Sequence, residues 1–204
     1  SIGVEFEKAL KPKVAELYKT LPVIDTTVGI DYRMLEAHDH EDDHHGHDHK
    51  DEHQGHDDEH DPSGVDAHVW LGRQAVQAMA LSIRDALSSF DPAGAASYAA
   101  NHAAFARDVD AAFDTIVARL EPLRGTTAFV FHPAFGYLLD ELGMRQEAVE
   151  TGGKEPTQKA LAAMIALAKE EGARVIFVQE QFPTSAASAV AKAIGGAVVP
   201  INPL

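Results

Sequence analysis

The sequence predicts an α/β fold whose C-terminal part is built on a parallel sheet. Two patterns indicate this class. From residue 123 onward, short apolar runs alternate with helical segments of a length that suits parallel βαβ units. Before them, residues 91–123 carry one long helical pattern. Right-handed crossovers would place helices on both faces of the sheet and give a small three-layer lobe.

The first 90 residues contain fewer predicted elements. Apolar residues at helical spacing predict a helix over 4–19, and the apolar run at 21–26 is fit for a strand. Residues 36–64 have no hydrophobic periodicity and are expected to form a mobile loop. The stretch VDAHVWLG, 65–72, then leads into a helix that ends near Ser89.

The long helix and the elements after it follow in order. Asp91 is a plausible helix cap with Pro92 at the first helical position. At about 1.5 Å per residue this helix would run on the order of 45 Å, long enough to brace two lobes. The strands predicted after it are 127–132, 144–150, 174–180 and 197–201. The helices predicted between those strands are 133–143, 156–172 and 184–196.

Charge and cysteine content narrow the function classes. The formal net charge is −15, and residues 38–61 supply −10 of it through eleven acids and one Lys. This acidity argues against a nucleic-acid partner, which needs clustered Lys and Arg, and it suits a metal cation. There is no Cys, so a metal site must use imidazole and carboxylate groups. Those groups suit zinc, copper, nickel, iron or manganese.

The two ends of the chain carry little targeting information. No run is long and apolar enough to span a membrane, and no signal peptide is visible. The chain opens on SIGVEFE without a Met and stops at INPL just after an apolar run. We therefore expect a fragment of a larger fold, cut at both ends.

The acidic stretch 38–61 is also rich in histidine. Its nine histidines are His38, His40, His44, His45, His47, His49, His53, His56 and His60. They offer many overlapping ligand sets but no fixed geometry, so each binding event must order the chain at about 1–2 kcal/mol per residue. We expect several weak, exchangeable accessory metal sites. The alternative is a solvated polar linker that binds metal incidentally.

Two isolated histidines are better candidates for a defined site. His132 ends an apolar strand, and ligands of parallel α/β lobes bind at the carboxyl ends of strands. A capping or turn histidine is an equally good interpretation from position alone. His68 lies in VDAHVWL, where Asp66 could orient its ring as metal-bound histidines require. A buried histidine that is hydrogen-bonded to Asp66 is the alternative.

Other polar residues follow predicted strands. Asn202 comes after the last strand and could face the same crevice as His132, although Asn is a weak zinc ligand compared with a carboxylate. Its alternative role is a turn residue ahead of Pro203. Glu150 and Glu180 end two further strands and could line the crevice, or be ordinary solvated loop residues.

Several of these segments together resemble a known family. The ordered motifs are IGVEFE, DAHVWL, FHPAFGYL, KEPTQKAL, VIFVQEQF and INPL, and an acidic His-rich stretch precedes the second of them. The set is similar to the zinc-binding solute receptors of bacterial ABC importers, the cluster A-I or ZnuA-like type. The resemblance covers essentially the whole chain.

The resemblance implies a fold and a role. The fold would be two parallel-sheet lobes bridged by a long helix, with metal in the cleft between them. Residues 1–90 would be an incomplete N-terminal lobe with its His-rich loop at 36–64, residues 91–122 the linking helix, and residues 123–204 the C-terminal α/β lobe. The protein would be a periplasmic receptor that captures Zn²⁺ and delivers it to a membrane ABC permease. It would act as a monomer without catalysing a reaction, with a periplasmic zinc chaperone as a further candidate partner.

The same resemblance assigns metal ligands. His68 matches the family's second ligand and His132 its third, where manganese-binding relatives have Glu, so zinc is expected rather than manganese. The family's first ligand lies upstream of IGVEFE, outside this chain. The family often has DPHVWLDP where this chain has DAHVWLGR, and Asp where this chain has Asn202. Asn202 is therefore only a weak candidate ligand, and the fourth ligand could be water, a histidine of the His-rich stretch, or absent.

Two other functions remain open from the residues. The protein could be a zinc buffer or a surface adhesin that acts through the His-rich stretch alone. It could also be a zinc hydrolase with Glu150 or Glu180 as general base, although no HExxH motif occurs.

Overall fold

The fold is organised around a parallel β-sheet. The computed structural model describes residue 7 and residues 9–35, 64–150, 156–182 and 184–203. In those residues the sheet has four strands in the order β2-β1-β3-β4, and every neighbouring pair is parallel. The strands are β1 (Thr127–Val130), β2 (Arg145–Ala148), β3 (Val175–Val178) and β4 (Ala197–Pro200). The predicted parallel α/β class is therefore confirmed, with each strand somewhat shorter than predicted.

Helices connect the strands as the pattern predicts. They are α4 (Gly136–Glu141), α5 (Gln158–Glu170) and α6 (Ser185–Ile194). The Thr157 side chain caps α5 by accepting from the Ala160 N–H at 3.1 Å. Helix α6 ends at Gly195, whose φ of 65° lies in the left-handed region that glycine adopts without strain.

Apolar side chains fill both faces of the sheet. Phe129 and Ile176 pack on one face against Met164 of α5 and Val190 of α6. Val130 points to the other face, because successive strand residues alternate. There it joins a cluster with α4 and with the end of the long helix, made of Leu139, Leu142, Ile116, Val117 and Leu120. The lobe is thus the three-layer arrangement that βαβ units produce.

Two long helices lead into this lobe. They are α2 (Arg73–Phe90) and α3 (Ala95–Leu120). The Asp91 side chain accepts from the Gly94 N–H at 3.3 Å, so the predicted cap is present and the predicted long helix is confirmed, with 3-10 turns at both of its ends. Its 26 α-helical residues span about 39 Å. Helix α2 lies along α3, where Gln77 donates to Asp110 at 2.9 Å.

The N-terminal segment differs from its prediction. The helix predicted over 4–19 is present as α1 (Leu10–Leu17). The strand predicted at 21–26 is wrong: residues 21–25 carry no strand assignment, and Leu21 and Val23 are exposed by 55% and 47%. A strand needs a neighbour for its hydrogen bonds, and within the described ranges all sheet strands come from residues 127–200. The β-contact found here is an isolated antiparallel bridge between Met34 and Val65.

The division into lobes stays a prediction. Residues 36–63, which include most of the predicted His-rich loop, lie outside the described residues. Among the helices that are described, none combines the length and apolar character needed to cross a bilayer.

Candidate metal site

His132 lies at the carboxyl end of β1, an inner strand of the sheet. The backbone around it is fixed on both sides: Phe131 N–H donates to the Phe177 carbonyl at 2.7 Å, and Ala134 N–H donates to the His132 carbonyl at 2.8 Å. The amide of Gln179, which follows β3, also donates to the His132 carbonyl at 3.2 Å. The imidazole side chain is 25% exposed. His132 therefore projects from a rigid backbone at the edge where parallel sheets bind ligands.

Glu150 holds the His132 ring from the neighbouring strand. It comes two residues after β2, and its N–H donates to the Phe131 carbonyl at 2.8 Å. Its Oε2 lies 2.5 Å from Nδ1 of His132, and the residue is only 3% exposed. A carboxylate only accepts hydrogen bonds, so the proton of a neutral ring lies on Nδ1 and the lone pair on Nε2. The sequence placed Glu150 at a strand end, but its role as the ring partner of His132 was missed. Knowing that β1 and β2 are neighbours in the sheet would have predicted this contact.

His68 is held by a more local contact. It stands just before a 3-10 turn, Val69–Leu71. Oδ1 of Asp66 accepts from the His68 backbone N–H at 3.0 Å and lies 2.7 Å from Nδ1 of its ring. Asp66 is fully buried. The geometry is the one predicted from the sequence, with the carboxylate two residues before the histidine, and it again places the lone pair of a neutral ring on Nε2.

The two imidazoles meet at their Nε2 atoms. The distance between Nε2 of His68 and Nε2 of His132 is 3.2 Å, with the rings 74° apart. Two nitrogens that bind one tetrahedral zinc at about 2.0–2.1 Å lie about 3.3–3.4 Å apart. The observed spacing is close to that value. Each ring also keeps a carboxylate on its other nitrogen, an arrangement that raises ligand basicity in metal-bound histidines.

Aromatic side chains flank the pair. The ring of Trp70 lies 5.3 Å from that of His68, and the ring of Phe182 lies 4.9 Å from that of His132. The indole N–H of Trp70 donates to the Pro203 carbonyl at 3.1 Å, which ties the C-terminal segment to the His68 loop. Each imidazole of the pair therefore has an aromatic ring beside it.

The remaining predicted residues are less closely placed. Asn202 follows β4 and is exposed, next to the Pro203 that Trp70 contacts, so its role as a weak ligand stays a prediction. Glu180 is exposed in the turn after β3. All nine histidines of 38–60 lie outside the described residues. Within the parts of the chain that are described, no group of three or more His, Asp or Glu side chains is arranged to hold a metal ion.

A parallel α/β lobe with two imidazoles that meet at the carboxyl end of an inner strand is the arrangement expected of a ligand-binding α/β protein. The model of the family described as "Zinc-uptake complex component A periplasmic" matches residues 1–204. The chain belongs to this family, which confirms the resemblance found in the sequence.

Curated relatives agree with this family. The chain is 36% identical over 117 residues to the high-affinity zinc uptake system protein ZnuA of Paracoccus denitrificans, a match that covers 56% of this chain and 36% of that protein. It is 29% identical over 141 residues to the zinc-binding protein AdcA of Streptococcus pyogenes, covering 68% of this chain and 27% of that protein. The matches therefore span only about a third and about a quarter of the length of these two relatives.

Solved structures share the whole fold of the chain. A crystal structure of ZnuA superposes with a TM-score of 0.83 at 27% identity, over 100% of this chain and 70% of that chain. A zinc-bound deletion mutant of ZnuA superposes with a TM-score of 0.82 at 27% identity, over 100% of this chain and 69% of that chain.

Proposed function

We propose that this chain is the metal-holding part of a periplasmic receptor that captures Zn²⁺ and delivers it to a membrane ABC permease. One observation carries the proposal. The Nε2 atoms of His68 and His132 stand 3.2 Å apart while each Nδ1 faces a buried carboxylate. The relatives, a high-affinity zinc uptake protein and a zinc-binding protein, support the same cargo.

Zinc suits this donor set better than manganese. Both candidate donors are imidazole nitrogens, which zinc binds readily, whereas manganese favours sites richer in oxygen. The carboxylates of Asp66 and Glu150 contact Nδ1 of each ring. In the proposed site they orient the rings and balance the charge of the cation, and they are not themselves ligands.

The proposed site lies in a cleft between an N-terminal lobe over residues 1–90 and a C-terminal lobe over 123–204. Asn202, as a weak ligand, or water or a histidine of the His-rich stretch would add to the coordination. The His-rich stretch at 38–61 would collect zinc close to the cleft, since Met34 and Val65 on either side of it pair within the described fold.

No reaction is required of this site. A hydrolase would need a general base free to take a proton from bound water. Glu150 is almost fully buried and engaged with His132, and Glu180 is exposed. We propose a monomeric receptor, with the permease and a zinc chaperone as partners and without nucleic acid.

Zinc titration of matched variants tests the proposal. An Asn background, in which the nine histidines of 38–60 are replaced by Asn, removes the competing imidazole donors at unchanged chain length. Calorimetry then compares this background with the same chain carrying His68→Ala and His132→Ala. His102→Ala is the control, because His102 lies on α3 beside Phe105 in a separate groove.

The expected result is one tight site in the background and in the His102→Ala control, and its loss in the double variant. Trp70 is the only tryptophan of the chain and lies against His68, so its fluorescence should respond to zinc in the same pattern. If the protein is instead a zinc buffer or an adhesin that acts through the His-rich stretch, the opposite pattern of zinc binding is expected. Its tightest site would survive the double substitution in the unaltered chain and disappear in the Asn background.

A further inference from the structure

Tyr137 bridges the two segments that carry the imidazoles. It lies on α4, which begins four residues after His132. Its hydroxyl accepts from the Arg33 backbone N–H at 2.9 Å and donates to the Asp66 carbonyl at 3.0 Å. Burial raises the pKa of Tyr137, so the hydroxyl stays protonated and remains a donor at neutral pH. One side chain thus ties α4 to the residue that orients His68.

Arg33 makes a second connection between the same segments. Its Nε lies 2.9 Å from Oδ2 of Asp140 on α4, and its Nη1 lies 3.9 Å from Oδ2 of Asp66. The side chain is only 14% exposed and lies against Gly136, where an added Cβ would come within 2.7 Å of the guanidinium. Glycine at this position therefore gives the guanidinium room to lie between the two acids.

Asp66 needs such a neighbour. It is fully buried, and among the described residues its Oδ2 has no hydrogen-bond partner, while its Oδ1 takes both bonds from His68. An ionised carboxylate is costly to bury unless a cation stands nearby. Arg33 supplies that charge on the side of Asp66 opposite His68.

The backbone joins these contacts into one unit. Asp66 N–H donates to the Arg33 carbonyl at 2.8 Å, and Leu35 N–H donates to the Gly64 carbonyl at 2.7 Å, on either side of the bridge between Met34 and Val65. If Arg33 or Tyr137 is displaced, Asp66 should therefore move with it. A shift of Asp66 should in turn move the His68 ring and its Nε2.

We propose that Tyr137 and Arg33 are positioning residues that together set the spacing between the imidazoles of His68 and His132. In the proposed site neither side chain is a metal ligand. They hold the His68 loop against α4, which follows the strand end where His132 lies. The two Nε2 atoms are thereby kept at a distance that fits zinc. This inference rests on the proposed function, because spacing matters only when both rings bind one ion.

Substitution in the Asn background tests the inference. Tyr137→Phe removes the bridging hydroxyl and keeps the ring. Tyr98→Phe is the matched control, because that hydroxyl donates to Asp91 at 2.8 Å, away from the imidazoles. Zinc affinity is measured by competition with a chelator. The visible spectrum of bound Co²⁺ reports the coordination geometry, and melting of the metal-free protein reports stability.

Tyr137→Phe should lower zinc affinity by about tenfold or more, the loss typical of partners outside the ligand shell. It should also alter the Co²⁺ spectrum. Tyr98→Phe should change neither, even where both variants lower the melting temperature equally. Arg33→Gln should lose affinity in the same way and Arg33→Lys should recover most of it, since Lys keeps the charge beside Asp66.

Two results would overturn the inference. One is zinc affinity and a Co²⁺ spectrum in Tyr137→Phe and Arg33→Gln that match the background. The other is an equal change of the Co²⁺ spectrum in Tyr98→Phe. If the background itself binds no zinc through His68 and His132, the proposed function has failed and this inference fails with it.

Discussion

His68 and His132 present the same nitrogen to the same point but are held in different ways. The carboxylate that holds His68 comes from two residues earlier in the chain, whereas the carboxylate that holds His132 comes from a neighbouring strand 18 residues later. The side chain of His68 is 12% exposed and that of His132 is 25% exposed. One half of the site is therefore a local loop feature, and the other half is a product of sheet topology.

Because of this difference, we expect the two halves of the site to tolerate substitutions unequally. The His68 loop is held by two backbone hydrogen bonds beside the isolated Met34–Val65 bridge and by a few side-chain contacts around Asp66, so it should shift when one of these contacts is lost. The His132 segment is held by the backbone hydrogen bonds of β1 and its neighbours, so it should keep its position. Substitutions around His68 and around His132 test this difference in tolerance directly. All of them are made in the Asn background, and zinc affinity is measured for each.

Asp66→Asn should have the largest effect. The amide keeps an acceptor for His68 but places an N–H₂ group toward Arg33 and removes a charge that is fully buried. Loss of zinc affinity near the upper end of the about 10–100-fold range for such partners is expected. Competition titration measures it, and adding Arg33→Gln should restore part of the affinity. An unchanged affinity in Asp66→Asn would show that the His68 loop does not depend on this carboxylate.

Glu150→Gln should have a smaller effect. The Glu150 backbone is bonded to Phe131, so a Gln side chain starts from the same position and its carbonyl can still accept from His132. Only the charge is lost, and a fall near the lower end of the about 10–100-fold range is expected. The same titration measures it. A loss larger than that of Asp66→Asn would reverse the proposed contrast between the two halves.

Gln179→Leu should have the smallest effect. Its amide donates to the His132 carbonyl, but that carbonyl also accepts from Ala134 N–H at 2.8 Å and stays satisfied. The free energy of unfolding should fall by about 1 kcal/mol, the net value of one hydrogen bond. Urea denaturation measures this loss, while zinc affinity should stay near that of the background. A marked loss of affinity would mean that the β3 end controls the His132 backbone more than β1 does.

The same contrast explains what could be predicted from the sequence. The Asp66 partner of His68 was predictable because both residues lie in one short motif. The contact between Glu150 and His132 was not predictable, because predicting it requires knowing that β2 lies beside β1. A local sequence pattern does not reveal the order of strands in a sheet. The contact of Trp70 with Pro203 spans 133 residues and gave no local signal.

Long periodic segments were predicted well, and short apolar runs were not. The helix α3 was predicted to within four residues at each end because its apolar spacing repeats along most of its 26 residues. The run at 21–26 has strand-like composition, but composition does not provide a neighbouring strand. Within the described residues it stays outside the sheet and keeps its apolar side chains exposed.

Anomalous diffraction at the zinc edge, from crystals of the unaltered chain grown with one equivalent of zinc, tests the central claim most directly. The account predicts one dominant peak between the two rings, about 2.0–2.1 Å from Nε2 of His68 and Nε2 of His132. Nδ1 of His68 should remain hydrogen-bonded to Asp66, and Nδ1 of His132 should remain hydrogen-bonded to Glu150. A dominant peak away from these two nitrogens would contradict the account.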